Sequence, residues 1–560
     1  MAGSLLHKKR QERWHGIGLV LVACLVVLEP GLGSASPLTY HEAFVVQAAS
    51  EMLTSGQWLE PTIGHMPWLE KPPLPSWVVA SQGILAGQLT PSLARFPFTV
   101  AATALVVGIT YLVTRYCGHQ MGVLAGAIQA TTGWWIFRGR LAEADIMLAC
   151  LVTWTLVAFD RLRAIPTTHH AVEEKASAVG QHRFWQYVFF CLLGLGALVK
   201  GTGFGAVLVL GTTLTVIIWG REWRTLRYLL WAPGWALAGL LALAWPLLMI
   251  SQHGTKVIGL WVLHISDRVL PPSSHGQFAG ETWACYLLNV FGQGLPWTPL
   301  AIAGATLAAY RHHMGTHLGV LRSDRNYPDV SARNRLLWSW TTVPFVLVSI
   351  TRARNAHYAI YAMVPWSFWA SIALTHLSTV LCQRGWAMAR LKRVALGVFS
   401  LLALSYGIGY WLAGAYVSHH SPETMFYQRV GQALQPGEQM TLLYDEWDRD
   451  PYYTPFGQIP HDLALRLFYL RHPACWHFGV ASLAAHAHTC AQGTPQVSTG
   501  SPLLLIGRDR DLRELRLLGN VEVLAYSATK RWDRHYVSLR LRPYPAAVTQ
   551  RASTVAGSSK

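Results

Sequence analysis

Long apolar stretches dominate the first 420 residues of this 560-residue chain. The first is the run from Gly16 to Leu28. Ten further stretches are centred on residues 93–113, 120–132, 145–159, 184–199, 204–219, 228–250, 283–309, 337–350, 358–380 and 394–417. A helix that crosses a bilayer needs about 20 mostly apolar residues. The pattern therefore predicts a mainly α protein, a polytopic transmembrane bundle of about eleven to thirteen helices.

The pattern changes after residue 418. Short apolar runs and a helix-like segment follow one another there, at Met440–Leu443, Leu463–Leu470, Leu503–Ile506 and Val521–Leu524. Short runs of both kinds are typical of a small α/β module. We therefore predict a transmembrane domain over residues 1–418, an α/β domain over 419–545 and a disordered tail over 546–560.

Composition supports a membrane protein. Hydrophobic residues make up 52% of the chain and charged residues 13%, whereas soluble domains carry about 25% charged residues. The net charge is +17, and residues 1–420 hold 30 of the 45 basic residues but only 16 of the 28 acidic ones. Because this excess lies in the most apolar part of the chain, it indicates membrane topology and anion binding at a bilayer surface, and not a nucleic-acid partner.

The basic residues also predict the orientation of the chain. They precede the first apolar run and fill the loops 161–183, 220–227, 311–336 and 382–393, so the positive-inside rule makes these loops and the N-terminus cytoplasmic. The other loops and the α/β domain are then on the outer side of the membrane, which is the periplasmic side if the membrane is a bacterial inner membrane. Ser34-Ala35-Ser36, after the first run, also fits a cleavable signal peptide. Both interpretations export what comes next.

Two of the eight cysteines, Cys475 and Cys490, lie in the predicted exported domain. An oxidising compartment permits a disulfide, and we predict one between them. The other six lie in or beside apolar stretches and are predicted to be free thiols. The chain has no CxxC, HExxH or Walker motif, so zinc-protease and nucleotide-binding chemistry have no support.

Acids and bases gather in the predicted periplasmic loops or at the ends of the spans beside them. They are Glu42, Glu70, Lys71, Arg138, Arg140, Glu143, Asp145, Lys200, His264, Arg268, Arg352, Arg354, His357 and Tyr358. Such cations bind a phosphate on a lipid carrier through charge-assisted hydrogen bonds, and the carboxylates are candidates for a general base. Two alternatives stay open. In the first, Glu42 supplies only a negative charge at a helix N-terminus, where the helix dipole favours it. In the second, the loop at 138–145 is an interfacial salt-bridge cluster.

The order and spacing of these motifs resemble the GT-C glycosyltransferases that use polyprenyl-phosphate sugars, in the branch of the lipid A aminoarabinose transferases and protein O-mannosyltransferases. The resemblance covers residues 40–365. The motifs that carry it are Glu70-Lys71-Pro72-Pro73-Leu74, Ala94-Arg95-Phe96-Pro97, Gly139-Arg140-Leu141 with Asp145, Lys200-Gly201, His264 with Arg268, Leu295-Pro296-Trp297-Thr298 and Arg354 through Tyr358 to Pro365.

The resemblance implies that a sugar passes from an undecaprenyl-phosphate-linked donor to an acceptor on the periplasmic side, with inversion at the anomeric carbon. The residues assigned in this way to the donor phosphate are Lys71, Lys200, Arg268 and Tyr358, and the cations of the outer loops add Arg140. Asp145 becomes the second acid of the site. Glu70 and His264 fall where one branch of the family holds a divalent metal ion, although two residues are an incomplete ligand set.

One departure from the family bears on the mechanism. The family begins its first outer loop with an Asp-Glu pair whose Asp is the leading candidate for the base, whereas this chain has His41-Glu42. Either Glu42 or His41 takes over, or the acceptor is already an anion and needs no base, or activity is lost. Phe44 and Trp68 also depart from the family pattern, which leaves the donor sugar open.

Two functions of other classes remain, a flippase or transporter for lipid-linked sugars and an inactive family member that acts as a scaffold. A transporter is expected to carry ionisable residues at mid-membrane in broken helices, whereas the charges here gather in outer loops. The distribution of charges therefore favours a transferase over a transporter, and the resemblance implies an inverting hexosyl- or pentosyltransferase. Its acceptor is a lipid, a glycan or a protein.

Overall fold

The computed structural model of the protein describes residues 2–164, 172–201, 203–269, 282–313, 330–351, 354–416, 422–445, 448, 459–484, 489–490, 501–527 and 535–544. The chain divides into two compact units. The first comprises Met1–Leu32, Lys71–Pro75 and Arg95–Leu412, and the second comprises Gly33–Glu70, Ser76–Ala94 and Ala413–Lys560. The tail predicted at 546–560 lies outside the described residues.

Helices account for most of the described residues. In chain order they are α1 (Ala2–Leu28), α2 (Tyr40–Ser55), α3 (Leu74–Ala86), α4 (Pro91–Cys117), α5 (His119–Ala130), α6 (Gly133–Gly139), α7 (Ala144–Arg163), α8 (Val172–Lys200), α9 (Phe204–Gly220), α10 (Trp223–Leu229), α11 (Ala232–His253), α12 (Thr255–Val269), α13 (Trp283–Gln293), α14 (Thr298–His313), α15 (Val330–Ser349), α16 (Ile360–Met363), α17 (Trp366–Gln383), α18 (Met388–Tyr416), α19 (Pro422–Gln432), α20 (Leu463–Leu470), α21 (Val480–Ala484) and α22 (Leu512–Leu518). The strands are β1 (Thr62–Ile63), β2 (Met66–Pro67), β3 (Gln439–Tyr444), β4 (Cys475–Phe478), β5 (Thr489–Cys490), β6 (Leu503–Arg508), β7 (Gly519–Tyr526) and β8 (Tyr536–Pro543).

Each of the eleven predicted apolar stretches is helical over most of its length, which confirms the mainly α prediction. Two stretches are interrupted at a proline. The stretch 283–309 forms α13 and α14, which are separated by a turn that contains Pro296, and 358–380 passes through α16 before α17 begins after Pro365. A proline has no backbone N–H and disfavours a helical residue before it, so it ends one helix and begins the next.

Four helices among the described residues are long and apolar enough to cross a membrane singly: α4, the Gly180–Lys200 part of α8, α11 and α18. A fifth candidate combines α6 and α7, which are bent by 114° at the break between them. Large apolar side chains point outwards on these helices, including Leu240 on α11 at 66% exposure and Leu401 on α18 at 67%. Lipid would cover such surfaces. The protein is a polytopic membrane protein.

Charged side chains join the helix ends at the C-terminus of α7. Arg163 donates to both carboxylate oxygens of Glu222, at 2.6 and 2.7 Å, and Arg335 donates to Glu222 Oε1 at 2.9 Å. Asp160 accepts from Arg115 at 3.2 Å. Arg163 and Arg335, two of the basic residues in the predicted cytoplasmic loops, therefore join α7, α15 and the turn between α9 and α10, and Arg115 joins α4 to α7.

The C-terminal segment of the second unit contains a six-stranded sheet in the order β5-β4-β3-β6-β8-β7. The inner strand β3 is parallel to β4 and β6, and the remaining pairs are antiparallel. Leu443, Leu505, Leu515 and Leu539 form part of its buried core. The three predicted apolar runs lie in β3, β6 and β7, and the helix-like segment is α20. The α/β module is confirmed.

Cysteine pairing follows the sheet. Cys475 on β4 is disulfide-bonded, and Cys490 on β5 is its direct partner across the antiparallel ladder. The six cysteines in or beside the apolar stretches are free thiols, as predicted.

The carboxylate of Glu51 joins α2 to the β1–β2 hairpin in the second unit. It accepts hydrogen bonds from Gln47 Nε2 at 2.8 Å, Thr62 Oγ1 at 2.7 Å, and the backbone N–H groups of Gly64 at 2.7 Å and His65 at 2.9 Å. Glu51 is buried. Four donors compensate the loss of water around the carboxylate, so the hairpin has a fixed position against α2.

Replacing Glu51 by alanine is expected to destabilise the protein. The change removes the carboxylate that four donors share, two of which are backbone N–H groups of the hairpin. The loss of a hydrogen bond to a charged group costs about 1.5–3 kcal/mol. A lower midpoint of thermal unfolding in detergent would show the effect. Glu514→Ala, at an exposed position on α22, is the matched control. Equal midpoints of thermal unfolding for the two variants would contradict the role of Glu51 in holding the hairpin against α2.

Candidate active site

The carboxylate of Asp145, at the start of α7, forms an ion pair with the ammonium of Lys200, at the end of α8. Asp145 Oδ1 also accepts a hydrogen bond from the hydroxyl of buried Tyr361 at 2.7 Å. The two charged side chains are only 11% and 13% exposed. Because little water reaches either group, each depends on the other for compensation of its charge.

Aromatic rings surround the Lys200 ammonium. Its nitrogen lies 4.4 Å from the ring centroid of Tyr358, 5.4 Å from that of Phe204 and 5.9 Å from that of Tyr361. The ring of His357 lies 4.1 Å from that of Tyr358, centroid to centroid. Ring faces attract a cation and exclude water. The site is therefore an ammonium in a small aromatic enclosure, paired with the Asp145 carboxylate.

Local structure explains why these residues meet. The positive end of the helix dipole favours a carboxylate in the first turn of α7, where Asp145 lies, and the negative end favours Lys200 as the last residue of α8. Gly201 has φ +94°, a conformation that ends a helix and suits glycine. After this turn α9 begins at Phe204, which brings that ring back beside Lys200.

The structure thus brings together three of the residues predicted for the site, Asp145, Lys200 and Tyr358. Sequence reasoning did not select Tyr361 or Phe204. A signal existed for Tyr361, because it follows Tyr358 by three residues, the spacing of neighbours on one helical face. Phe204 had no such signal, because the turn at Gly201 separates it from the helix that ends at Lys200.

The loop before Asp145 holds a second ion pair, between Arg138 and Glu143. The guanidinium carbon of Arg138 lies 4.4 Å above the Trp134 ring. These contacts agree with the salt-bridge interpretation of this loop. They also hold the backbone at the bend between α6 and α7, next to Asp145.

The guanidinium of Arg140 points to the end of α1. Its Nη1 donates to the carbonyl oxygens of Val27 and Leu28, and its Nη2 donates to that of Pro30 at 2.7 Å. The Tyr410 ring covers the guanidinium carbon at 3.8 Å. Because these partners occupy the guanidinium, Arg140 acts here as a clamp on a helix C-terminus, where carbonyl groups otherwise lack partners.

Glu42 is fully buried at the start of α2 and forms a capping box with Thr39. Its Oε2 accepts the backbone N–H of Thr39 at 2.8 Å, and Thr39 Oγ1 accepts the backbone N–H of Glu42 at 3.2 Å. The interpretation of Glu42 as an N-terminal helix charge therefore agrees with its local structure. His41 is exposed. The two candidates for the base differ strongly in their access to water.

Glu70 and Lys71 form a bend between β2 and α3, and both are half-buried. The unit boundary falls between them, with Glu70 in the second unit and Lys71 in the first. Ahead of this bend, the Trp68 ring stacks on Phe44 with centroids 5.5 Å apart and planes inclined at 20°. The two departures from the family pattern thus form one contact, and each ring fills space beside the other.

The remaining predicted residues lie on α12. His264 is half-buried, and the side chain of Arg268 lies outside the described residues. Within the part of the chain that the structure describes, no group of three or more His, Cys, Asp or Glu side chains is placed to hold a metal ion. The metal ligands predicted at Glu70 and His264 stay a prediction.

Comparison with known proteins places this geometry in context. Residues 39–251 match the model of the family "Dolichyl-phosphate-mannose-protein mannosyltransferase". The chain is 24% identical over 403 residues to an undecaprenyl phosphate-alpha-4-amino-4-deoxy-L-arabinose arabinosyl transferase of Pseudomonas fluorescens, a match that covers 70% of this chain and 66% of that one. An undecaprenyl phosphate-alpha-4-amino-4-deoxy-L-arabinose arabinosyl transferase of Pseudomonas aeruginosa is also 24% identical, in a match that covers 68% of this chain and 65% of that one. The matches thus span slightly less than two thirds of these relatives.

The fold is similar to that of ArnT from Cupriavidus metallidurans bound to undecaprenyl phosphate. The TM-score is 0.67 at 18% sequence identity, and the superposition covers 93% of this chain and 97% of that structure. The chain therefore shares the fold of this structure. The region matched by the family model contains α2, the Glu70-Lys71 bend, Asp145 and Lys200, but not Tyr358 or Tyr361.

Proposed function

We propose that the protein is a glycosyltransferase that moves a sugar from an undecaprenyl-phosphate-linked donor to an acceptor on the periplasmic side of a bacterial inner membrane. The observation that carries the proposal is the shielded Asp145–Lys200 pair with the Tyr358 ring over the ammonium. An ammonium in an aromatic enclosure is suited to bind the oxygen atoms of a phosphate monoanion or diester. The names of the Pseudomonas relatives and the undecaprenyl phosphate bound to ArnT support this donor class.

The reaction is a single displacement. The acceptor oxygen attacks the anomeric carbon as the bond from that carbon to the phosphate oxygen breaks, and undecaprenyl phosphate departs with the electron pair. Glu42, or else His41, accepts the acceptor's proton. Inversion at the anomeric carbon follows from attack opposite to the leaving group.

Lys200 stabilises the departing phosphate. Its ammonium exchanges part of its contact with Asp145 for a phosphate oxygen, while Asp145 keeps the amine charged and directed into the site. An electrostatic contact of this type, in a region of low dielectric constant, lowers the barrier by several kcal/mol, about 3 for each preorganised donor. Lys71, Arg268 and Tyr358 complete the phosphate contacts. We leave Arg140 out of this set because backbone carbonyl groups already occupy its guanidinium.

Asp145→Asn tests the proposal directly. The variant keeps the size of the side chain and an acceptor for Tyr361, but it removes the charge that orients Lys200. We expect turnover of a radiolabelled undecaprenyl-phosphate sugar by the purified protein to fall about 10- to 100-fold. Asp509→Asn, the same change at an exposed position of the α/β module, is the control.

The result separates the rival functions. A flippase would move labelled donor across the membrane of vesicles without forming a glycosylated acceptor. Neither the unaltered protein nor Asp145→Asn would then give a transfer product. An inactive scaffold would give no transfer with the unaltered protein. Mass spectrometry of envelope lipids and glycoproteins, with and without the protein, identifies the acceptor as lipid, glycan or protein and shows whether the sugar is a pentose or a hexose.

A further inference from the structure

Three contacts in the second unit join the segment around α2 to the α/β module. The backbone N–H of Leu38 donates to the hydroxyl of Tyr469 on α20 at 2.9 Å, in a buried position. The hydroxyl of Tyr40 shares a hydrogen bond with His461 Nδ1 at 3.1 Å. These contacts link residues more than 400 positions apart in the chain.

The third contact is made by the β1–β2 hairpin. Gly64 and His65 form its two-residue turn with φ +62° and +60°, the conformation of a type I′ hairpin. A Cβ atom on Gly64 would lie 2.8 Å from the Trp476 ring on β4, so only glycine permits this approach. Glu51 in turn holds the same hairpin against α2.

The first two contacts lie just ahead of His41 and Glu42, the residues proposed to accept the acceptor's proton. Leu38 and Tyr40 stand on either side of the N-cap Thr39, whose backbone N–H binds Glu42. The Tyr40 ring also lies edge-on to those of His41, at 5.5 Å, and Phe44, at 4.9 Å. The first turn of α2 is therefore held from outside by groups of the α/β module.

We propose that the α/β module is a positioning element for this turn, and that His461 and Tyr469 fix the orientation of the Glu42 carboxylate through Tyr40 and Leu38. The inference rests on the proposed role of the first turn of α2 in transfer. Neither residue needs to contact the sugar or the phosphate. A misplacement of a reacting group by about 1 Å costs roughly 100-fold in rate, so a hydrogen bond far from the bond that breaks is able to control turnover.

His461 is suited to this task because its own position is fixed. Its backbone N–H donates to the carbonyl oxygen of Asp448 at 3.1 Å, and its ring lies 6.0 Å from that of Tyr40. Tyr469 lies on α20, a short helix whose leucines pack into the module. The two groups of the module that bind Tyr40 and Leu38 thus belong to residues whose own positions are fixed.

A double-mutant cycle on the full-length protein tests the coupling. We expect His461→Ala and Tyr40→Phe each to lower kcat about 10-fold with the donor KM changed less than twofold, and the double variant to be no slower than either single one. His461→Asn, whose amide takes the place of the Nδ1 edge, should recover most of the rate. His472→Ala, at another histidine of the module, is the control.

Hydrogen exchange gives a readout that does not depend on activity. His461→Ala should speed exchange of the amides of residues 40–46, and His472→Ala should not. Multiplicative loss of kcat in the double variant, or unchanged exchange in α2, would overturn the positioning role even if Lys200 variants still show that the protein is a transferase. If the unaltered protein transfers no sugar, the proposed function fails, and faster exchange alone would leave only a structural link, which also overturns the inference.

Discussion

Glu42→Gln is expected to lower the transfer rate by about 100- to 10,000-fold, the usual contribution of a positioned general base. The variant isolates basicity from structure. Glutamine at the third helical position completes a capping box as glutamate does, so the bond from the Thr39 N–H is retained. The measurement is kcat for transfer from an undecaprenyl-phosphate sugar, together with the midpoint of thermal unfolding.

His41→Ala is the companion variant. Because His41 is exposed and Glu42 is buried, we expect the loss to follow Glu42. If Glu42→Gln transfers at the normal rate and His41→Ala does not, the base is His41. Normal rates in both variants would mean that the acceptor is itself an anion and needs no base.

Lys200→Gln is expected to lower kcat/KM about 100- to 1,000-fold, because it removes the cation that stabilises the departing phosphate. It should also destabilise the fold by about 3 kcal/mol, because the buried Asp145 carboxylate would lose the ammonium that pairs with it. Lys200→Arg should recover little activity, because a planar guanidinium does not fit an enclosure shaped around an ammonium.

The double variant Lys200→Gln/Asp145→Asn separates stability from catalysis. It removes both charges together, so the midpoint of thermal unfolding should return towards that of the unaltered protein while transfer stays lost. Lys256→Gln, at an exposed lysine of α12, controls for net charge. Normal transfer by Lys200→Gln would refute the proposed phosphate contact.

The helical bundle could be predicted because apolar stretches of sufficient length become helices wherever they occur in a membrane. The positions of Pro296 and Pro365 were visible in the sequence, but whether a proline bends a helix or divides it depends on the packing around it. The α/β module could be predicted from short runs such as Met440–Leu443. The order of its strands could not, since strand pairing joins segments distant in the chain.

The candidate site shows the same division. Family motifs selected Asp145, Lys200 and Tyr358, and the structure brings them together. The clamp formed by Arg140 was not predictable, because its partners lie more than 100 residues earlier and are backbone carbonyl groups that carry no signature of their own. Local spacing does not distinguish a cation that binds a ligand from one that binds a helix end.

The contacts of Arg140 also make α1 a structural part of the helical bundle. Three carbonyl groups at the end of α1 solvate a guanidinium that is only 5% exposed to water. Removing α1 would leave that cation without these carbonyl groups, against an aromatic ring in an apolar interior, and burying an uncompensated charge is energetically costly. The same arginine stands between α6 and α7, five residues before Asp145, so α1 supplies the anchorage on which this acid of the site depends.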